Sequence, residues 1–144
     1  MKMESPLLDD LNRLDDIIRS LATISDFKEV KGICDRAESA RRDAVRAGLG
    51  LKIRNRAAEL KLRAERRAGE LLTSLVKRGG DHKSSARHNA LTLAQLGIDH
   101  NRSTRWQHQS AVPEAAFEQY LKAANELGKE ITARGLLAWS ARSN

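Results

Sequence analysis

From Phe27 to Leu75 the apolar residues return every three or four positions, a spacing that lines one face of a helix and does not fit the two-residue alternation of a strand. Phe27, Val30, Cys34, Ala37, Ala44 and Gly48 form one seam, broken by Arg41. Ile53, Ala57, Leu60, Ala64, Ala68, Leu71, Leu72 and Leu75 form a second. Aromatic residues are 3% of the chain and β-branched runs are few, so the whole reads as all-α. Ala47-Gly48-Leu49-Gly50 separates the seams. One helix continuing through it would carry two interior glycines at about 1 kcal/mol each, so an intermolecular coiled coil is the lesser alternative. The favoured reading is two helices, one from Ser25 or Asp26 with an Asp26/Glu29 capping box, the other running to about Arg78. The small alanines on both seams let them close as a long antiparallel hairpin over 25–78.

Residues 1–24 precede the hairpin as an amphipathic helix. Ser5 is the expected cap, Pro6 takes the first helical position, and Leu7, Leu8, Leu11, Leu14, Ile17, Ile18 and Leu21 form one wide stripe. Residues 1–30 hold four Lys/Arg against seven Asp/Glu, which makes the segment a poor ligand for a polyanion and a better packing or oligomer surface. The charge reverses from Arg36 to Arg67, where eleven Lys/Arg face four Asp/Glu, an excess equal to the +7 of the whole chain. Local pairs such as Glu59 with Arg63 cannot absorb that excess, so this face is a candidate for phosphate contacts.

Residues 79–90 have the glycine, serine and polar composition of a flexible basic linker, in which Lys83 and Arg87 are candidates for phosphate or minor-groove contacts. Residues 91–144 then read as a C-terminal bundle. Thr92 and Gln95 have capping-box spacing, Gly97 can turn the chain through positive φ, and Asp99 can cap a helix from His100 to about Ala111. Two helices joined by a tight glycine turn are the DNA-reading helix-turn-helix. Leu93, Leu96, Ile98 and Trp106 are expected inside. His100, Asn101, Arg102, Thr104 and Arg105 are expected outside, with Asn101 and Arg102 leading as base-edge contacts. Pro113 starts a following helix, Thr132 caps a last one, and Trp106 and Trp139 read as core rather than stacking platforms.

The run Gly97, Ile98, Asp99, Arg105, Trp106 and Val112-Pro113 resembles the helix-turn-helix of ParB/KorB-type partition proteins. It also resembles a set of small phage and mobile-element proteins with a "LAELGIS…SSRWQ…LPEEEFE" signature, over roughly Asp26 to Trp139. Asp99 stands where those proteins have Ser, and Ser103 where partition proteins favour a β-branched apolar residue. The resemblance implies DNA binding.

Chemistry is sparsely represented. His82, His88, His100 and His108 have no cysteine partner at zinc spacing, and no phosphate loop, nucleophile elbow or convergent carboxylate pair occurs. The expectation is therefore a non-enzymatic protein without cofactor or metal, cytoplasmic, with no membrane span and no internal disulfide for its one cysteine, Cys34. Its expected partner is double-stranded DNA, bound as a homodimer formed through residues 1–78. The competing expectation is a protein-binding adaptor or inhibitor that docks through its first helix and hairpin.

Overall fold

The structure, a computed structural model, describes residues 4–75 and 92–143. The linker expected at 79–90, with Lys83 and Arg87, lies outside the described residues. Helices α1 (Glu4–Arg19), α2 (Phe27–Arg46), α3 (Leu51–Leu75), α4 (Leu93–Leu96), α5 (His100–Ala111), α6 (Glu114–Glu126) and α7 (Ala133–Ser143), with a 3-10 turn at Leu21–Thr23, make an all-α protein with no strand among the described residues.

Local chemistry explains most of the boundaries. Helix α1 begins at Glu4 and already contains Ser5 and Pro6, so Ser5 is not the residue just ahead of the helix; a proline is accommodated because N–H groups of the first turn have no helical partner. Asp26 caps α2, but its carboxylate accepts from the Lys28 N–H at 3.1 Å rather than entering the box expected with Glu29. At the other end Gly48 adopts φ +67°, and the Leu49 N–H returns to the Ala44 carbonyl at 3.1 Å. This left-handed stop is what divides the two seams. Gly48 itself is exposed and does not pack in the seam.

Helices α2 and α3 lie against each other in opposite directions. Arg67, late in α3, donates to the Ile24 carbonyl just before α2, whereas Lys61 reaches Glu38 further along. The α1 stripe closes on the same core, with Leu11 and Leu14 fully buried beside Val30, Ala37, Ala57 and Ala64. Most of the stripe is thus buried within its own chain, with Leu8 and Ile17 half-buried at its edge. The cluster continues without a break into Leu96, Ile98 and Trp106.

Helix α3 is buried on more than one side. The expected seam faces α1 and α2, while Ala58 and Leu62 pack with Phe117, Tyr120, Leu121 and Leu136 in a second cluster under α6 and α7. Half-buried Trp139 packs on that cluster, its ring 6.2 Å from that of Tyr120. A helix that is apolar on one face was expected; a central helix flanked by both clusters is what the structure shows.

The basic face is also tied down more thoroughly than expected. Of the eleven Lys/Arg between Arg36 and Arg67, all but Lys52 meet a carboxylate or carbonyl among the described residues. Much of this pairing is long-range: Arg36 with Asp10, Arg54 with Glu130, Arg56 with Asp15, Arg63 with Glu118 and Arg66 with Glu114. The pairing carboxylates belong to α1, α6 and the approach to α7. Counting charge within the segment misses them.

Candidate nucleic-acid interface

The stretch from Thr92 to Ala111 is held by the contacts its residue types favour. The Thr92 hydroxyl accepts from the Gln95 N–H at 3.1 Å, and the Gln95 side chain accepts from the Thr92 N–H at 2.9 Å. Gly97 follows at φ +76°, a conformation that strains any residue with a Cβ, and the Ile98 N–H closes the turn onto the Leu93 carbonyl at 3.1 Å. Ile98 is buried beneath it. Asp99 then accepts from the Arg102 N–H at 2.7 Å, which satisfies a free donor in the first turn of α5.

Three contacts fix α5 on α3. Gly69 lets the α5 backbone approach so closely that a Cβ there would lie 2.6 Å from the Trp106 carbonyl carbon, and closer still to its oxygen. Arg66 donates to the carbonyls of Gln109 at 2.6 Å and Val112 at 2.9 Å, closing the C-terminal end of α5, with its guanidinium 4.4 Å above the Phe117 ring. Gln109, buried, donates through Nε2 to Glu65 at 2.9 Å. Burial holds the Glu65 carboxyl above its ordinary range. Trp106 is 2% exposed and its ring lies 6.4 Å from that of Phe27.

These anchors decide which side of α5 faces outward. Ser103, Trp106 and Gln109 are buried; Asn101, Arg105 and His108 are exposed along one stripe, with Thr104 half-buried at its edge and His100 exposed at the helix start. Arg105 has no ion-pair or hydrogen-bond partner among the described residues, so its fork is available. Ser103 is buried on the inner side, where its hydroxyl oxygen accepts from Gln107 Nε2 at 2.9 Å.

Arg102 departs from expectation. One residue beyond Asn101 is about 100° further around a helix, and here that turn aims Arg102 at α2. Its guanidinium donates to Asp35 at 3.2 Å and lies 4.8 Å from the Trp106 ring centroid, while Asp35 also pairs with Lys31 at 3.0 Å. Arg102 therefore braces the flank of α5 and does not stand in the exposed stripe. His108, which the sequence offers as a phosphate or base donor or as a plain surface residue, stands in that stripe with Asn101 and Arg105.

Burial, with Glu65 and Asp35 nearby, pushes the Cys34 thiol up and away from the thiolate form. No group of three potential metal ligands occurs among the described residues. No helix among them is long and apolar enough to cross a membrane.

Comparison with known proteins adds no assignment. No family model, curated protein or solved structure matches this chain.

Proposed function

We propose that this chain is a sequence-reading double-stranded-DNA-binding protein. In this reading it is a helical hairpin carrying a helix-turn-helix, α4 and α5, that serves regulation, replication or segregation of a phage or mobile element. The observation that carries the reading is the outer stripe of α5: Asn101, Thr104, Arg105 and His108 on a helix capped at its start, clamped at its end by Arg66 and rigidly seated on Gly69. A rigid helix with short polar groups near its N-terminus and a free guanidinium one turn on suits the edges of base pairs in a major groove. Asn101 is the candidate for adenine, Arg105 for guanine or an adjoining phosphate, and Thr104, His108 and His100 for the backbone. Lys83 and Arg87 remain proposed backbone contacts.

The competing reading remains a protein-binding adaptor or inhibitor that docks through α1 and the hairpin; most of the α1 stripe is buried internally, and the exposed large hydrophobic residues among those described are Val45 and Leu127.

Gel-shift titrations on a selected and a random duplex test the reading. Asn101→Ala is expected to weaken the selected duplex by about 1–3 kcal/mol and the random duplex hardly at all. Lys52→Ala, away from α5, is the control. No binding by the wild-type chain, or equal losses on both duplexes for Asn101→Ala, would remove the assignment.

A further inference from the structure

Helices α2 and α5 do not close on each other along their whole length. Between them, with α3 as floor and the start of α7 at one end, is a cleft of about 590 Å³, within the size range of small-molecule sites. Its charged lining comprises five cations, Arg42, Arg46, Lys61, Arg102 and Arg105, against the carboxylates of Asp35, Glu38 and Glu65. Two of the cations are only partly engaged. Arg42 meets Glu38 through Nε alone, leaving its terminal nitrogens, and Arg105 has no partner among the described residues. Ala133, the first residue of α7, also lines the cleft, and that helix start is capped by Thr132, whose hydroxyl accepts from the Gly135 N–H at 2.9 Å.

A second and independent observation lies at the floor. The Gln109 side chain is 1% exposed and gives its Nε2 hydrogen to Glu65, but its Oε1 has no partner among the described residues. A buried acceptor left unmet costs about 1–3 kcal/mol, so such atoms are ordinarily matched by a donor.

We propose that this cleft binds a small organic dianion, a phosphate monoester or a hydroxy dicarboxylate. Its charged group sits among Arg42, Arg46 and Arg105, and a hydroxyl donor reaches the floor at Gln109. The lining holds five cations against three carboxylates, an excess of two before Asp43, which pairs with Arg46 at the rim, is counted, and this excess suits an anionic ligand. A DNA strand suits the cleft less well, because the floor residues Cys34, Glu65 and Gln109 are deeply buried. The cleft shares Arg105 with the proposed DNA-reading stripe but takes nothing from Asn101, the proposed base-edge contact.

The full chain without DNA, titrated with glucose 6-phosphate, malate, inorganic phosphate and glucose, provides the test. The indole N–H signals of the two tryptophans are followed by NMR, since Trp106 lines the cleft and Trp139 packs in the other cluster. The expected result is a saturable shift of Trp106 alone with glucose 6-phosphate or malate, at lower concentration than with inorganic phosphate and absent with glucose. In the Arg42→Ala/Arg46→Ala double variant, which disturbs only exposed side chains, affinity falls about tenfold or more, roughly 1.4 kcal/mol. Asn101→Ala retains wild-type affinity, which separates this site from DNA reading. No saturable shift with either organic anion, binding of inorganic phosphate as tight as theirs, or an unaffected double variant would overturn the proposal. So would a double variant that loses DNA affinity alone, which would assign the cationic rim to the DNA backbone.

Discussion

Replacing Gly69 by alanine adds one methyl group at the point where α3 and α5 come closest. The new Cβ would sit 2.6 Å from the Trp106 carbonyl carbon and 3.0 Å from Ser110 Cβ. Carbon atoms rest in contact at about 3.5–4.0 Å, and the nearest obstacle is main chain, which cannot rotate aside. Helix α5 must therefore retreat by roughly an ångström, loosening Trp106 against Phe27 and stretching the Arg66 bonds. Overpacking of this kind costs about 1–3 kcal/mol, and more where backbone must move, while alanine returns about 1 kcal/mol of helix propensity. The net loss expected is about 1–3 kcal/mol, read as a lower urea midpoint at unchanged slope. Gly32→Ala is the internal control, because nothing lies within 4 Å of its Cβ position on exposed α2 and it should gain about 0.5–1 kcal/mol. A Gly69→Ala protein that gained stability as Gly32→Ala does would refute the close seating of α5. On the proposed function Gly69→Ala also weakens DNA binding, although Gly69 is buried and far from any base.

Arg66→Lys should lose about 1.5–3 kcal/mol, because an ammonium cannot fork to the Gln109 and Val112 carbonyls while lying over Phe117; thermal melts equal to wild type would count against that role. Glu38 accepts from Arg41 and Arg42 and pairs with Lys61, and the Arg41 hydrogen bond leads in lowering its carboxyl from 4.5 to about 2. A lowered folded value stabilises the fold above the unfolded value, so this contribution is full above about pH 4.5 and is lost as pH falls towards 2; Glu38→Gln should flatten that part of the stability profile. Glu65 has the opposite sign: its folded value is raised by burial, so its charged form opposes folding at neutral pH. Glu65→Gln is expected to raise the melting temperature at pH 7, with the gain fading below pH 4.5, and a lower melting temperature at pH 7 would contradict it.

What the sequence disclosed divides according to how local the physics is. Thr92 with Gln95, Gly97 and Asp99 were legible because caps and left-handed turns depend on residues within four positions of one another. The all-α class and the seams of α2 and α3 followed from period alone. The sequence was silent where a distant element decides. Ala58 and Leu62 look like spacers until α6 and α7 cover them, and the arginines of α2 and α3 look unpaired until Asp10, Asp15, Glu118 and Glu130 arrive from other helices. Arg102 was placed outside because Asp35, its partner, lies 67 positions away. Gly69 did leave a signal, a lone glycine inside a strong helical pattern, which marks close packing as readily as weakness.

The central claim is that the outer face of α5 recognises bases. Its most direct test is selection of bound duplexes from a random pool at near-physiological salt, with wild type and Asn101→Ala side by side. The account predicts that one motif is enriched by the wild type, as an inverted repeat with half-sites about one helical turn (~34 Å) apart if two copies bind, and that the variant loses preference at one base of each half-site. A pool that stays random through repeated rounds, or a motif identical for both proteins, would contradict it.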